Sequence, residues 1–166
     1  MKPAQRSREA DGNKGPAEGP PLLERVAALL RAGQPMKALD LLARSGPPTP
    51  QLTNALGVCL LRLGEAERAV DVFRGLVLTP GTVCLRPDAA AEHKCNFAAA
   101  LLAAGNVAGG LRALDEVGDE GRPAVARLRA AVRRWRAGLS LWQRLRWHLG
   151  GSPPCPVALD GDLGEL

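Results

Sequence analysis

Three glycines divide this chain into short apolar runs, and that punctuation constrains the fold more than any other feature. Gly33, Gly64 and Gly105 each close one run of helical spacing and stand just before another. Leu22, Leu23, Val26, Leu29 and Leu30 lie on one face before Gly33, and Met36, Leu39, Leu41 and Leu42 follow it as far as Ser45-Gly46-Pro47-Pro48. Pro50 to Leu63 and Glu65 to about Leu78 flank Gly64, while Asp88 to Ala104 and Val107 to Val117 flank Gly105. Apolar residues three and four apart mark an amphipathic helix, and a glycine just past the last turn is the residue that most readily ends one. The composition agrees. Aromatic residues make up only 3% of the chain and Tyr is absent, so the core must be built of Ala, Leu and Val. Ala and Leu favour helix, whereas a sandwich or barrel would draw on β-branched and aromatic residues. The expected class is all-α.

The runs also share a register around the glycines. Five residues after each comes a small residue (Ala38, Ala69, Gly110), and nine after each a larger apolar one (Leu42, Phe73, Leu114). Four before each stands a Leu (Leu29, Leu60, Leu101), and seven before each Val26, Gly57 or Ala98. An antiparallel helix pair explains the pattern. The glycine permits the tight turn, the small residue lets the second helix approach the first, and the larger ones fill the seam.

That register resembles the tetratricopeptide repeat. Leu56, Gly57, Leu60, Gly64, Ala69 and Phe73 fall on the family's signature, with Pro80 one residue from its closing Pro; Phe97, Ala98, Leu101, Gly105 and Leu114 carry the third unit. The first unit keeps Gly33, Ala38, Leu42 and Pro50 but has Arg25 where an apolar residue is expected. The resemblance covers about residues 19–121. Glycine spacings of 31 and 41 depart from the family's 34 and imply an inserted loop at Gly81 to Pro87. Gly109-Gly110 should weaken the last of these helices, by roughly 1 kcal/mol per Gly relative to Ala. The resemblance implies three antiparallel helix pairs over 21–121, stacked as a short right-handed solenoid. It further implies a groove lined by the first helix of each pair, here through Gln51, Asn54, Val58 and Arg62 and through Glu92, Asn96 and Ala99. Asn54 and Asn96 are the pair able to hold a peptide backbone, unless they are solvated or cap local backbone groups. Arg62 is the one basic candidate in this groove, so a carboxylate clamp is not expected.

The ends read differently. Residues 1–20 are rich in Gly, Pro, Lys, Glu and Ser, as a disordered leader would be, and lack the apolar core of a signal peptide. Residues 122–149 hold eight Arg and no acid, whereas residues 1–121 balance 14 basic against 14 acidic side chains, so the excess charge sits in one segment. The dominance of Arg over Lys suits a GC-rich, bacterial coding sequence. Val125, Leu128, Val132, Trp135, Leu139, Trp142, Leu145 and Leu149 form a stripe at spacings of three and four, predicting a long C-terminal helix between Pro123 and Gly150 that caps the pairs. Gly138 and Ser140 are where it could kink. The stripe's surroundings, Arg127, Arg129, Arg133, Arg134, Arg136, Arg144 and Arg146, form a cationic surface that could instead meet nucleic acid or an anionic membrane. Residues 150–166 read as an extended Pro-rich and acidic tail, with Asp160, Asp162 and Glu165 able to fold back on the Arg face.

Little suggests catalysis. His93 and His148 are the only histidines and stand in no catalytic motif. His93, Cys95 and Cys84 lack the paired spacing of a zinc site. No apolar run approaches the roughly 20 residues of a membrane span, and the four cysteines show no pairing pattern, so a cytoplasmic setting with reduced thiols is expected. The expectation is a non-catalytic adaptor or scaffold, without cofactor or metal, that binds a protein or peptide partner in its groove. The alternatives are nucleic-acid or anionic-membrane binding through the Arg-rich helix. With three units the chain could also form a homo-oligomer through an uncovered end.

Overall fold

The computed structural model describes residues 21–117, 122–151, 155–159 and 164. The expected leader at 1–20, and the acidic residues Asp160, Asp162 and Glu165, lie outside the described residues. Among the described residues eight helices follow in order: α1 (Leu22–Arg31), α2 (Pro35–Ala43), α3 (Pro50–Arg62), α4 (Ala66–Val77), α5 (Ala91–Ala103), α6 (Val107–Val117), α7 (Pro123–Gly138) and α8 (Leu141–His148). Among the described residues the only extended pairing is an isolated antiparallel bridge between Leu78 and Leu85. The chain is all-α.

The glycine register is repeated in the hydrogen bonds. Gly33, Gly64 and Gly105 have φ of +67°, +78° and +82°, a left-handed conformation that costs a side chain energy. Each glycine N–H donates to the carbonyl three residues back (Leu30, Leu61, Leu102), and each following N–H (Gln34, Glu65, Asn106) to the carbonyl five back (Leu29, Leu60, Leu101). These are three copies of one Schellman turn, which satisfies the orphan carbonyls of the first helix and reverses the chain. The next helix then starts the same way each time. Ala38, Ala69 and Gly110 donate to the carbonyls of Gln34, Glu65 and Asn106.

The seam of each pair is equally regular. Val26, Ala38 and Leu42, then Gly57, Ala69 and Phe73, then Ala98, Gly110 and Leu114 are all buried. Phe73 rests on Gly57, where a Cβ would stand 2.4 Å from its ring. At Gly110 a Cβ would lie 2.7 Å from the Leu102 side chain and 3.2 Å from the Ala98 carbonyl. The glycine that weakens α6 as an isolated helix is therefore what lets α6 meet α5. Leu60 and Leu101 are buried, but Leu29 is only half-buried.

Between pairs, α3 packs on α1, α5 on α3, and α7 on α5, while α2 and α4 fill in against α3 and α5. The second helices make no comparable contact with one another. First helices thus form one continuous layer, and α7 takes the next place in it. Val125, Ala131 and Val132 supply its buried side.

Two local expectations are corrected. The long helix over 122–149 is two helices, broken at Leu139-Ser140. Ser140 Oγ accepts from Gln143 N while Gln143 Oε1 accepts from Ser140 N, a capping box that starts a new helix. Helix α5 begins at Ala91 and not Asp88; before it the chain turns, with Ala89 N donating to Arg86 O, and Asp88 pairs with Arg86 at 2.9 Å. The loop expected at Gly81 to Pro87 does lie between α4 and α5, and it opens with a tight turn closed by Thr79 N to Cys84 O and Arg86 N to Val77 O, with Gly81 at φ +76°.

Two glycine substitutions, one in this seam and one on the exposed face of α4, should have opposite signs. Gly57→Ala should destabilise by about 1–3 kcal/mol through overpacking against Phe73, despite its better helix propensity. Gly75→Ala in α4, where a Cβ would meet nothing within 4 Å, should stabilise by about 0.5–1 kcal/mol. Urea denaturation of both variants would check this; equal effects would contradict the packing at Gly57.

Candidate functional site

The seven residues expected along the first helices do not share one environment. Gln51 and Glu92 open α3 and α5 and are exposed. One turn further on, Asn54 and Asn96 are buried at 4% and 2% exposure, and Asn96 Nδ2 donates to Asn54 Oδ1 at 2.9 Å. They meet each other across the α3–α5 contact. Neither is a solvated residue or a helix cap, since both sit inside helices and face a neighbouring helix. A buried amide must be satisfied, so this pair fixes where α5 lies along α3.

Val58 and Ala99 lie one turn beyond and are fully buried or nearly so. Arg62, half-buried, donates from Nη1 to the Leu30 carbonyl at 2.9 Å, satisfying the C-terminal turn of α1. Its charge is thereby directed to the preceding pair.

The cover over this half of the layer comes from the C-terminal tail. Cys155 meets α7, where Trp135 Nε1 donates to its carbonyl at 3.2 Å and lies 3.4 Å from its Sγ. Val157 N donates to the Leu102 carbonyl of α5 at 3.2 Å, and its side chain is 3% exposed. Gly164 reaches α3, where a Cβ would stand 2.8 Å from Val58 Cγ2. The tail therefore meets α7, α5 and α3 in that order, each a first helix. Sequence reasoning placed these residues in an extended tail but gave them no seat; the alternation of Val157 and Leu159 was the available signal.

The basic segment is partly committed to the fold. Arg129 pairs with Asp115 of α6 at 3.1 Å. Arg136 lies 5.4 Å over the Trp147 ring, which meets Trp135 edge-on at 5.3 Å. Arg144 donates to the carbonyls of Ala137 and Leu139 at 2.9 and 3.1 Å, closing the end of α7. Arg127, Arg133, Arg134 and Arg146 are exposed. The apolar stripe divides at the helix break: Val125, Val132 and Leu139 are buried, whereas Leu141, Trp142, Leu145 and Leu149 of the α8 region are 84, 73, 49 and 79% exposed.

Among the described residues, no three His, Cys, Asp or Glu side chains converge as a metal site would require. Cys95 is buried in α5 and Cys84 exposed in the turn, and burial holds His93 below the usual histidine pKa. Burial also pushes the Cys59 thiol up to about 11, outweighing the opposing charge of Arg62. No helix of the described residues is long and apolar enough to cross a membrane.

Comparison with family models, curated proteins and solved structures returns no match.

The four thiols should react in two classes. Cys84 and Cys155 are exposed and should be modified quickly by a disulfide reagent at pH 8, while Cys59 and Cys95 should react only on unfolding. Four fast thiols in the native protein would contradict the packing of α3 and α5.

Proposed function

We propose that this protein is a non-catalytic adaptor of tetratricopeptide-like build, binding an extended peptide or a partner subunit on the face formed by α1, α3, α5 and α7. The observation that carries the reading is the unequal packing of the two layers. First helices pack on their successors and second helices make no comparable contact with one another, so the stack curves toward the first-helix side and offers it as a groove. The repeated Schellman turns and the small-residue seams support the family likeness, and the stacking order supports a short solenoid, which in this proposal is right-handed and works in the cytoplasm.

Within that groove Gln51 and Glu92 are the open positions for a ligand, Val58 and Ala99 supply an apolar floor, and Asn54 and Asn96 hold the floor together. The ligand is selected by shape and apolar burial. Arg62 is engaged with Leu30, which argues against a clamp for a terminal carboxylate.

A second reading keeps one specific observation. The exposed Leu141, Trp142, Leu145 and Leu149, beside Arg146, make α8 an amphipathic piece suited to an anionic membrane; the remaining exposed Arg residues of α7 would serve nucleic acid in the same way.

A photo-crosslinking experiment separates the two. Peptides selected from a random library on the full chain should be captured by a benzophenone side chain at Gln51 or Glu92, and not at Arg133 or Trp142. Capture confined to the latter pair would overturn the groove reading. Binding to anionic vesicles or nucleic acid that weakens steeply with salt would favour the alternative.

A further inference from the structure

We infer that the C-terminal segment is a resident peptide ligand of the first-helix groove, and that any external ligand of the groove competes with it. The inference rests on the groove reading above and deepens it by naming the chemistry of the occupant.

The described tail residues behave as a bound peptide would. From Val157 on, burial alternates: Val157 is buried, Ala158 exposed and Leu159 half-buried, after an exposed Cys155 and Pro156, the period of two expected of an extended chain over these three residues. Pro156 cannot donate, and the next N–H, that of Val157, finds a carbonyl on the receptor surface. That carbonyl belongs to Leu102, in the last turn of α5, where the Schellman turn leaves an acceptor with a second lone pair. Main-chain capture by a helix end, with an aliphatic side chain buried beside it, is how a groove holds an extended peptide irrespective of most of its sequence.

Cys155 and Gly164, the outermost described residues of 152–166, are also fitted to the surface. Trp135 holds Cys155 by its carbonyl, and Gly164, at φ +81°, sits so close to Val58 that a side chain there would collide. The described tail residues thus meet α7, α5 and α3, and Gly164 lies against Val58, a residue expected from the register to face a ligand. Gln51 and Glu92 stay exposed at the opposite ends of α3 and α5, so an incoming peptide has an open foothold from which to displace the tail.

The matching external ligand is an extended apolar peptide with branched aliphatic side chains two residues apart and no charged residue between them. Tethering gives the tail an effective concentration of about millimolar, so with an intrinsic tail affinity for the groove of about 10–100 μM a competing free peptide should bind the native chain about tenfold or more weakly than the emptied groove.

The test uses the full chain carrying Val157→Asp and Leu159→Asp, changes that lie outside every helix, with a fluorescent synthetic peptide of residues 152–166 as probe. The expected result is unchanged helical circular dichroism and binding of the probe at least about tenfold tighter than to the native protein, corresponding to about 1.4 kcal/mol. A probe carrying the same two Asp residues should not bind. Equal binding to both proteins, or none to the variant, overturns the inference. If the variant does not fold, hydrogen exchange on the native chain decides: the Val157 amide should be protected and should lose protection with excess probe, and an unprotected amide overturns the inference. The groove reading fails separately. It falls if library peptides are captured elsewhere although the tail peptide binds; the tail inference alone falls if library peptides are captured at Gln51 and Glu92 but the tail peptide does not compete.

Discussion

The Asn54–Asn96 hydrogen bond is the constraint on which the arrangement of this protein turns. Apolar seams tell a helix that it must be covered but tolerate sliding by a fraction of a turn, because dispersion and hydrophobic burial are non-directional. Two amides shut away from water do not tolerate it. Separating them leaves each polar group unsatisfied at about 1–3 kcal/mol, comparable with a sizeable part of a small domain's net stability. The bond sets α5 along α3, and with it the relation between the second and third helix pairs. Everything seated on the first-helix layer inherits that setting, including the alignment of Val58 with the end of α5 where Val157 docks.

Within each pair a different device operates. The Schellman turns at Gly33, Gly64 and Gly105 end the first helix at a defined residue, so the second helix starts in a fixed phase. Contact between the two then depends on what is missing: the side chain at Gly57 under Phe73 and the side chain at Gly110 against Leu102. Local turn and tertiary seam point to the same register, the mutual consistency that favours a single native state.

That agreement is why so much of the fold was legible. A left-handed glycine followed by a small residue at a constant interval is a local signal and survives in one sequence. The helix break at Leu139 was legible too, in Ser140 and Gln143, but the continuous stripe from Val125 to Leu149 masked it. The stripe is a single apolar line only if the helix is straight; once broken, its second half is left exposed on α8. The site was less legible. The register put Asn54 and Asn96 on the right face of their helices, yet facing a ligand and facing a neighbouring helix are the same direction when first helices touch. Nothing in the spacing of residues measures that gap. Val157 and Leu102 are remote in sequence and joined by one backbone bond, which leaves no pattern of residue types behind.

The central claim is that adjacent helix pairs are locked through their first helices by one buried amide pair. A double-mutant cycle of Asn54→Ala and Asn96→Ala, read by urea denaturation of the full chain, tests it most directly. Each single change should destabilise by about 1–3 kcal/mol, and the double variant should lose less than the two together, a coupling of about 0.5–3 kcal/mol. Additive losses, or single variants as stable as the native protein, would contradict the claim.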